Sequence, residues 1–362
     1  MKRLALFLVL AASAALPAAA PGAGCSPLDC SPTGSPLGHA LFAVRPDGID
    51  GSVVVDDLRT GHTLWQLPAG MLDGTTLVHQ DHAGLTWFDT LTGHRTGTAV
   101  VHVKPVPYLV GASQNGTRAV LNFSTKRWST FVIASPRGQR TIRLPTYSWG
   151  FDALAGSKLY LLRFLRNGYE VRLYDLAANR LLARPLKAPH ESALIAGSAW
   201  TRTTSTGGRY VFTLYVGQSG DAMVHELDVR RATARCIDLP GSGDFNRGTS
   251  YVLELSRDGR TLWAVSPGYG RAVAIDVASA RVRTVFRFRS AHVQSPSATV
   301  AALSPDGRRI AVGLVDDVWV LDTGRQRVVL RRHRVVDALA FSPDGHRLWI
   351  ARGTVLRALP MG

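Results

Sequence analysis

From about residue 38 onward the chain is written in short apolar runs separated by small polar turns, with almost no amphipathic-helix periodicity. Ala301-Ala302-Leu303 leads into Ser304-Pro305-Asp306-Gly307 and out through Ile310-Ala311-Val312. Leu339-Ala340-Phe341 does the same through Ser342-Pro343-Asp344-Gly345 to Leu348-Trp349-Ile350, 38 residues later. Ser256-Arg257-Asp258-Gly259 is a third copy, and Arg45-Pro46-Asp47-Gly48 and Gln114-Asn115-Gly116-Thr117 are weaker ones. Proline sets φ at the first turn position, aspartate caps the turn, and glycine takes the positive φ, so each copy predicts a hairpin between two short strands.

A second element keeps phase with the first: an apolar run ends in aspartate, then a small polar turn, then another apolar run. It occurs at Asp57, Asp89, Asp175, Asp228, Asp276 and Asp322, with Ile133-Ala134 as a degenerate member. From Asp57 to Asp322 the series covers 265 residues in six steps, a mean near 44. Four strands of about six residues with tight turns need that length. The prediction is an all-β chain folded as a single β-propeller, most simply of seven four-stranded blades, with eight as the alternative. The first unit lacks an innermost strand. The strands within Val336 to Leu359 are therefore expected to pair with N-terminal ones and close the ring, which removes exposed sheet edges. The phrase Leu303 to Val320, ending in Asp322-Thr323-Gly324, resembles bacterial YVTN-type and TolB-type propeller repeats and, more loosely, WD-repeats. The Gly-His and Trp-Asp pairs of true WD-repeats are absent or out of phase.

Three segments follow: 1–24, 25–37 and 38–362. Met1-Lys2-Arg3, the apolar run Leu4 to Ala15 and the small tract Ala18-Ala19-Ala20 have the three parts of a secretory leader and are too short to span a bilayer. Residues 25–37 form a Pro/Ser/Gly-rich linker, and residues 38–362 the propeller. The predicted location is outside the cytoplasm, secreted or attached to the envelope. Cys25 and Cys30 are five apart and suit a small disulfide loop; the alternative pairs Cys30 with Cys236. Gly22-Ala23-Gly24-Cys25 partly resembles a bacterial lipobox, which would make Cys25 a lipid anchor and the sole membrane attachment.

The chain has 362 residues, 46% of them apolar and 19% charged, a composition that excludes disorder and a polytopic membrane protein. Charge changes the picture more. Lys and Arg number 42 against 26 Asp and Glu, for a net +16, or +14 once Lys2 and Arg3 are removed. Arg281, Arg283, Arg287 and Arg289 recur at even spacing on a strand that follows an aspartate box, so they are predicted to share one face of an outermost strand. Arg331, Arg332 and Arg334 continue the theme. Such charge blocks edge-to-edge pairing, and the same arginines are candidates for an anionic partner, because the planar guanidinium fork suits phosphate and carboxylate.

Other chemistry is sparse. His79, Asp81 and His82 form the densest set of candidate metal ligands. On a regular strand 79 and 82 point opposite ways, so the expected reading is a solvated turn. His225 reads as a singly placed histidine. There is no Gly-x-Ser-x-Gly elbow, P-loop or dinucleotide fingerprint, and no catalytic residue or cofactor is expected. The predicted function is a monomeric, non-catalytic binding module for a protein or an anionic envelope polymer, without nucleic acid. The alternative is a propeller enzyme of lyase, hydrolase or quinone-dependent dehydrogenase type, with its site at the central channel.

Overall fold

The computed structural model describes residues 42–46 and 53–362, apart from 74, 83, 147, 167, 189–194, 206, 294–298, 315 and 353–354. The leader, the linker and Cys25 and Cys30 lie outside these residues. Eight antiparallel sheets follow one another along the chain: A (42–67), B (71–99), C (108–145), D (149–181), E (198–239), F (252–287), G (300–333) and H (338–360). Strand order within each sheet is sequential, so every sheet is a meander. First strands touch from B to C to D, and from E through F and G to H, and line the ring. The chain is a β-propeller, with eight sheets, the alternative count, where seven were expected. Among the described residues the one helix, Phe245–Thr249, is capped by Asp244, and no helix is long and apolar enough to cross a membrane.

Sheets B to G have four strands, while A and H have three. The aspartate box identifies what is missing, because Asp89, Asp175, Asp228, Asp276 and Asp322 all end the third strand of their sheets. Asp57 ends the second strand of A, so A holds positions two to four; H, which begins with its Ser-Pro-Asp-Gly hairpin, holds one to three. The expected pairing of terminal strands within one sheet does not occur among the described strands. Closure is made instead by side chains of H on the turn of A: Trp349 Nε1 donates to the Leu58 carbonyl at 2.7 Å and Arg347 Nη1 to the Arg59 carbonyl at 3.3 Å.

The same contact recurs around the ring. Carbonyls one and two residues after the box aspartate accept donors from the preceding sheet: Trp65 Nε1 on Thr90, Arg140 on Leu176, Tyr160 Oη on Val229, Lys158 Nζ on Arg230, and Arg235 on Val277 and Ala278. The core itself lies between sheets, as mixed clusters such as Phe131, Ile142 and Leu144 of C with Leu154, Leu159 and Leu161 of D. Each fully buried Leu or Phe of this kind contributes about 1.5–3 kcal/mol.

Both predicted turns form as read. Ser304 Oγ donates to Asp306 Oδ1 and accepts Arg309 N–H at 2.8 Å, and Ser256 and Ser342 repeat this with Asp258 and Asp344. Ser205 is a further copy that its Gly207-Gly208 sequence disguises, its Oγ accepting Tyr210 N–H at 2.8 Å. In the box, Oδ1 of Asp57, Asp175, Asp228 and Asp322 accepts backbone N–H groups two or three residues on. These aspartates cap turns.

In a meander the connections alternate between two ends. Both capped turn types fall on one face of the ring. The other face carries the longer, irregular connections.

Candidate functional site

The metal candidates do not converge. His79 lies on the strand Thr76–Gln80, where its Nδ1 is 2.5 Å from the Ala69 carbonyl, while Asp81 Oδ1 accepts Gly84 N–H at 2.9 Å in the following turn and His82 is exposed. Among the described residues no three His, Cys, Asp or Glu are grouped to hold a metal ion.

The arginine stripe is on the predicted outermost strand, Arg281–Arg287, but not on one face. A bulge at Arg283 breaks the alternation: Ala274 pairs with Thr284 and Ile275 with Val282. Arg281 then stands opposite Asp276 and Arg287 opposite Arg271, five positions apart on the neighbouring strand and so on opposite sides of the sheet. Arg283 itself pairs with the Asp276 carboxylate. Arg289 follows the strand and is exposed. In sheet G, Arg331 binds Asp317 Oδ2 at 2.6 Å and covers the Trp319 ring at 5.1 Å, Arg332 is on the other side, and Arg334 follows the strand. Two of these seven arginines, Arg283 and Arg331, are therefore paired with a carboxylate of their own sheet.

Two arrangements escaped the sequence reading. The first is polar and buried, between D and E. Asp152, 3% exposed on the first strand of D, accepts from Arg202 Nη2 on the first strand of E at 2.6 Å. Register across E aligns Arg202, Thr213, His225 and Cys236 from the innermost to the outermost strand. His225 is buried beside Tyr215, with ring centroids 6.0 Å apart. Burial holds its imidazole below the ordinary pKa, against the opposing pull of Asp152. Asp152 Oδ2, Arg202 Nε, Thr213 Oγ1 and His225 Nε2 have no hydrogen-bond partner. No local motif links residues 152, 202 and 225, because sheet topology alone aligns them.

The second is basic and open, between C and D on the capped-turn face. A groove of about 740 Å³ is lined by Arg118, Arg137 and Arg140 together with Asn115, Thr117 and Ser135. Sheet C makes room for it: where other sheets have a box, C turns in two residues, Pro136 and Arg137, with Ser135 opposite Gly138. Arg118 Nη2 donates to the Gly156 carbonyl, and Arg140 to the Leu176 carbonyl and, at 2.6 Å, to Asn179 Oδ1. These acceptors are neutral, so they fix the guanidinium groups without cancelling their charge. Burial alone pulls the Arg118 pKa down. Asp175, whose box turn meets the groove at Leu176 and Ala177, spends Oδ1 on the N–H groups of Ala177 and Ala178. A second concavity of about 520 Å³, formed by His102, Val103, Lys104, Thr141 and Arg143, flanks the outer strand of C. A signal in the sequence marks both. No Asp or Glu occurs between Asp89 and Asp152, while eight Lys and Arg do.

No protein-family model matches the chain, and no curated protein matches it. Solved structures do. The dihydro-heme d1 dehydrogenase NirN in complex with DHE matches over 96% of this chain and 76% of its own, at 15% identity and a TM-score of 0.53. AztD of Citrobacter koseri matches over 81% and 83%, at 14% identity and 0.51, and the Dos1 propeller over 82% and 83%, at 10% identity and 0.50. What these chains share with the present one is the β-propeller fold.

Proposed function

We propose that the chain is an exported, non-catalytic propeller that binds an anionic partner outside the cytoplasm. The observation that carries this reading is the carboxylate-free stretch between Asp89 and Asp152, which supplies sheet C and two basic concavities beside its outer strand. Unpaired guanidinium groups held on neutral carbonyls favour an incoming carboxylate or phosphate over an internal one. The charged, apolar and small-residue parts of 1–24 support export. The structural neighbours are of different kinds, a dihydro-heme d1 dehydrogenase among them, and at their identities they transfer no activity.

A channel enzyme is the second reading, favoured by Asp152, Arg202 and His225. A catalytic set needs its members within hydrogen-bond reach. Asp152 and Arg202 meet this condition, but His225 hydrogen-bonds to neither and is buried with its ring edge-to-face with Tyr215. The binding reading is tested by passing the mature chain over an immobilised anionic polymer in rising salt. Retention at about 0.1 M that disappears towards about 1 M, as the screening length falls from roughly 10 to roughly 3 Å, is the expected result. Flow-through at low salt would contradict it.

A further inference from the structure

We infer that the groove between sheets C and D is the seat of that partner, and that it takes an extended anionic glycan or polyol polymer bearing phosphate or carboxylate groups. This rests on the binding reading above and adds a place and a chemistry to it. Three observations carry it.

First, Arg118 and Arg140 are pre-positioned. Each bonds a backbone carbonyl of sheet D, and Arg140 also bonds Asn179. Little rotamer entropy remains to be lost when an anion arrives. Arg137, in the two-residue turn, makes no side-chain hydrogen bond or ion pair and supplies a third charge at the same lip.

Second, the lining contains hydroxyl and amide groups of Asn115, Thr117, Ser135, Ser157 and Gln139 but no aromatic ring. Single-stranded nucleic acid is bound through base stacking on such rings, whereas a sugar or polyol polymer uses hydrogen-bonding groups between its charges. The arrangement favours the second class.

Third, the charge continues past the groove. On the outer strand Gly138–Pro145, Arg140 shares a face with the buried Ile142 and Leu144, which pack against D. Arg143 alternates to the other face, where it joins Lys104 and His102. Two basic concavities on either side of one edge strand suit a chain with repeated charges better than a single small anion.

The test measures binding of the mature chain to two probes, a polyol-phosphate polymer and a polyuronate, with single-stranded DNA and an acidic peptide as comparisons. Arg137→Glu, a reversal that removes no bond of the fold, is compared with Arg118→Gln/Arg140→Gln and with a distal pair, Arg283→Gln/Arg331→Gln. Neutralising or reversing one groove charge is expected to weaken binding about tenfold, and the double change by more. The distal pair should bind within about twofold of the parent chain. Preference for either polymer identifies whether phosphate or carboxylate is read. Three outcomes overturn the inference while sparing the binding reading: polymer binding unchanged in Arg137→Glu, binding lost in the distal pair instead, or tighter binding of DNA or peptide than of either polymer. Absence of all binding by the parent chain overturns both.

Discussion

At the level of single residues, the regularity of the aspartate box exposes where the chain is strained. The fourth residue after each box aspartate has positive φ: Gly61, Gly93, Asn179, Ala232, Ala280 and Gln326. Glycine fits this conformation and asparagine tolerates it, but Ala and Gln do not. Replacing Ala232, Ala280 or Gln326 by glycine should raise stability by about 0.5–1 kcal/mol each, measured by denaturant unfolding. The reverse change, Gly61→Ala, should cost more than it would from φ alone, because the new Cβ would collide with the Trp349 ring. The Thr323-Gly324 pair shows how far this was legible. The box was visible in the sequence, but its strained position is Gln326 and not the glycine beside it.

A second residue-level prediction concerns Glu254. It is buried on the first strand of F, its Oε1 has no partner, and burial pushes its carboxyl well above the usual range. A carboxyl raised in the folded state favours folding at low pH. That advantage is lost as pH rises above the unfolded value near 4.5. Glu254→Gln should therefore raise the melting temperature at pH 8 and change it least near pH 4. A uniform shift at both would refute the account. Opposite signs apply to Asp258 and Asp344, whose carboxyls are lowered first by the Ser256 and Ser342 hydroxyls, then by backbone N–H groups. Their stabilisation is complete above about pH 4 and disappears below it.

Among the elements, closure of the ring depends on how one sheet grips the turn of the next. Trp349 joins H to A across 291 residues of chain. Trp349→Phe leaves the Leu58 carbonyl unsatisfied and part of the indole space empty, and should cost about 2–3 kcal/mol. Trp128→Phe, at a half-exposed ring, should stay within about 0.5 kcal/mol. Equal losses would mean that Trp349 has no special part in closure. This grip was not legible, because it links positions from opposite ends of the sequence. The bulges were not legible either. They fall seven residues after Asp57, Asp89, Asp276 and Asp322, at positions 64, 96, 283 and 329, and at the third of these a bulge breaks the predicted one-sided arginine stripe. Strand alternation can be read from a sequence, but the extra residue that resets it has no composition of its own.

Across the whole molecule, the propeller and its turns could be read from repeats, since each turn is a local hydrogen-bonding unit. The groupings within the candidate sites could not, because Asp152, Arg202 and His225 meet through topology and Arg118 and Arg140 through the apposition of two sheets; only the lack of Asp and Glu between Asp89 and Asp152 marks the basic one in the sequence. Of the chain's conspicuous arginines, Arg283 and Arg331 are paired with Asp276 and Asp317, whereas Arg118, Arg137 and Arg140 lie in a stretch that has no carboxylate. That contrast is the central claim. It is tested most directly by the salt-dependent affinity of the mature parent chain and its Arg137→Glu variant for a polyol-phosphate or polyuronate polymer. Binding at about 0.1 M salt that fades towards about 1 M, and that weakens about tenfold in the variant, is the predicted result. Affinity indifferent to both salt and the charge at position 137 would contradict it.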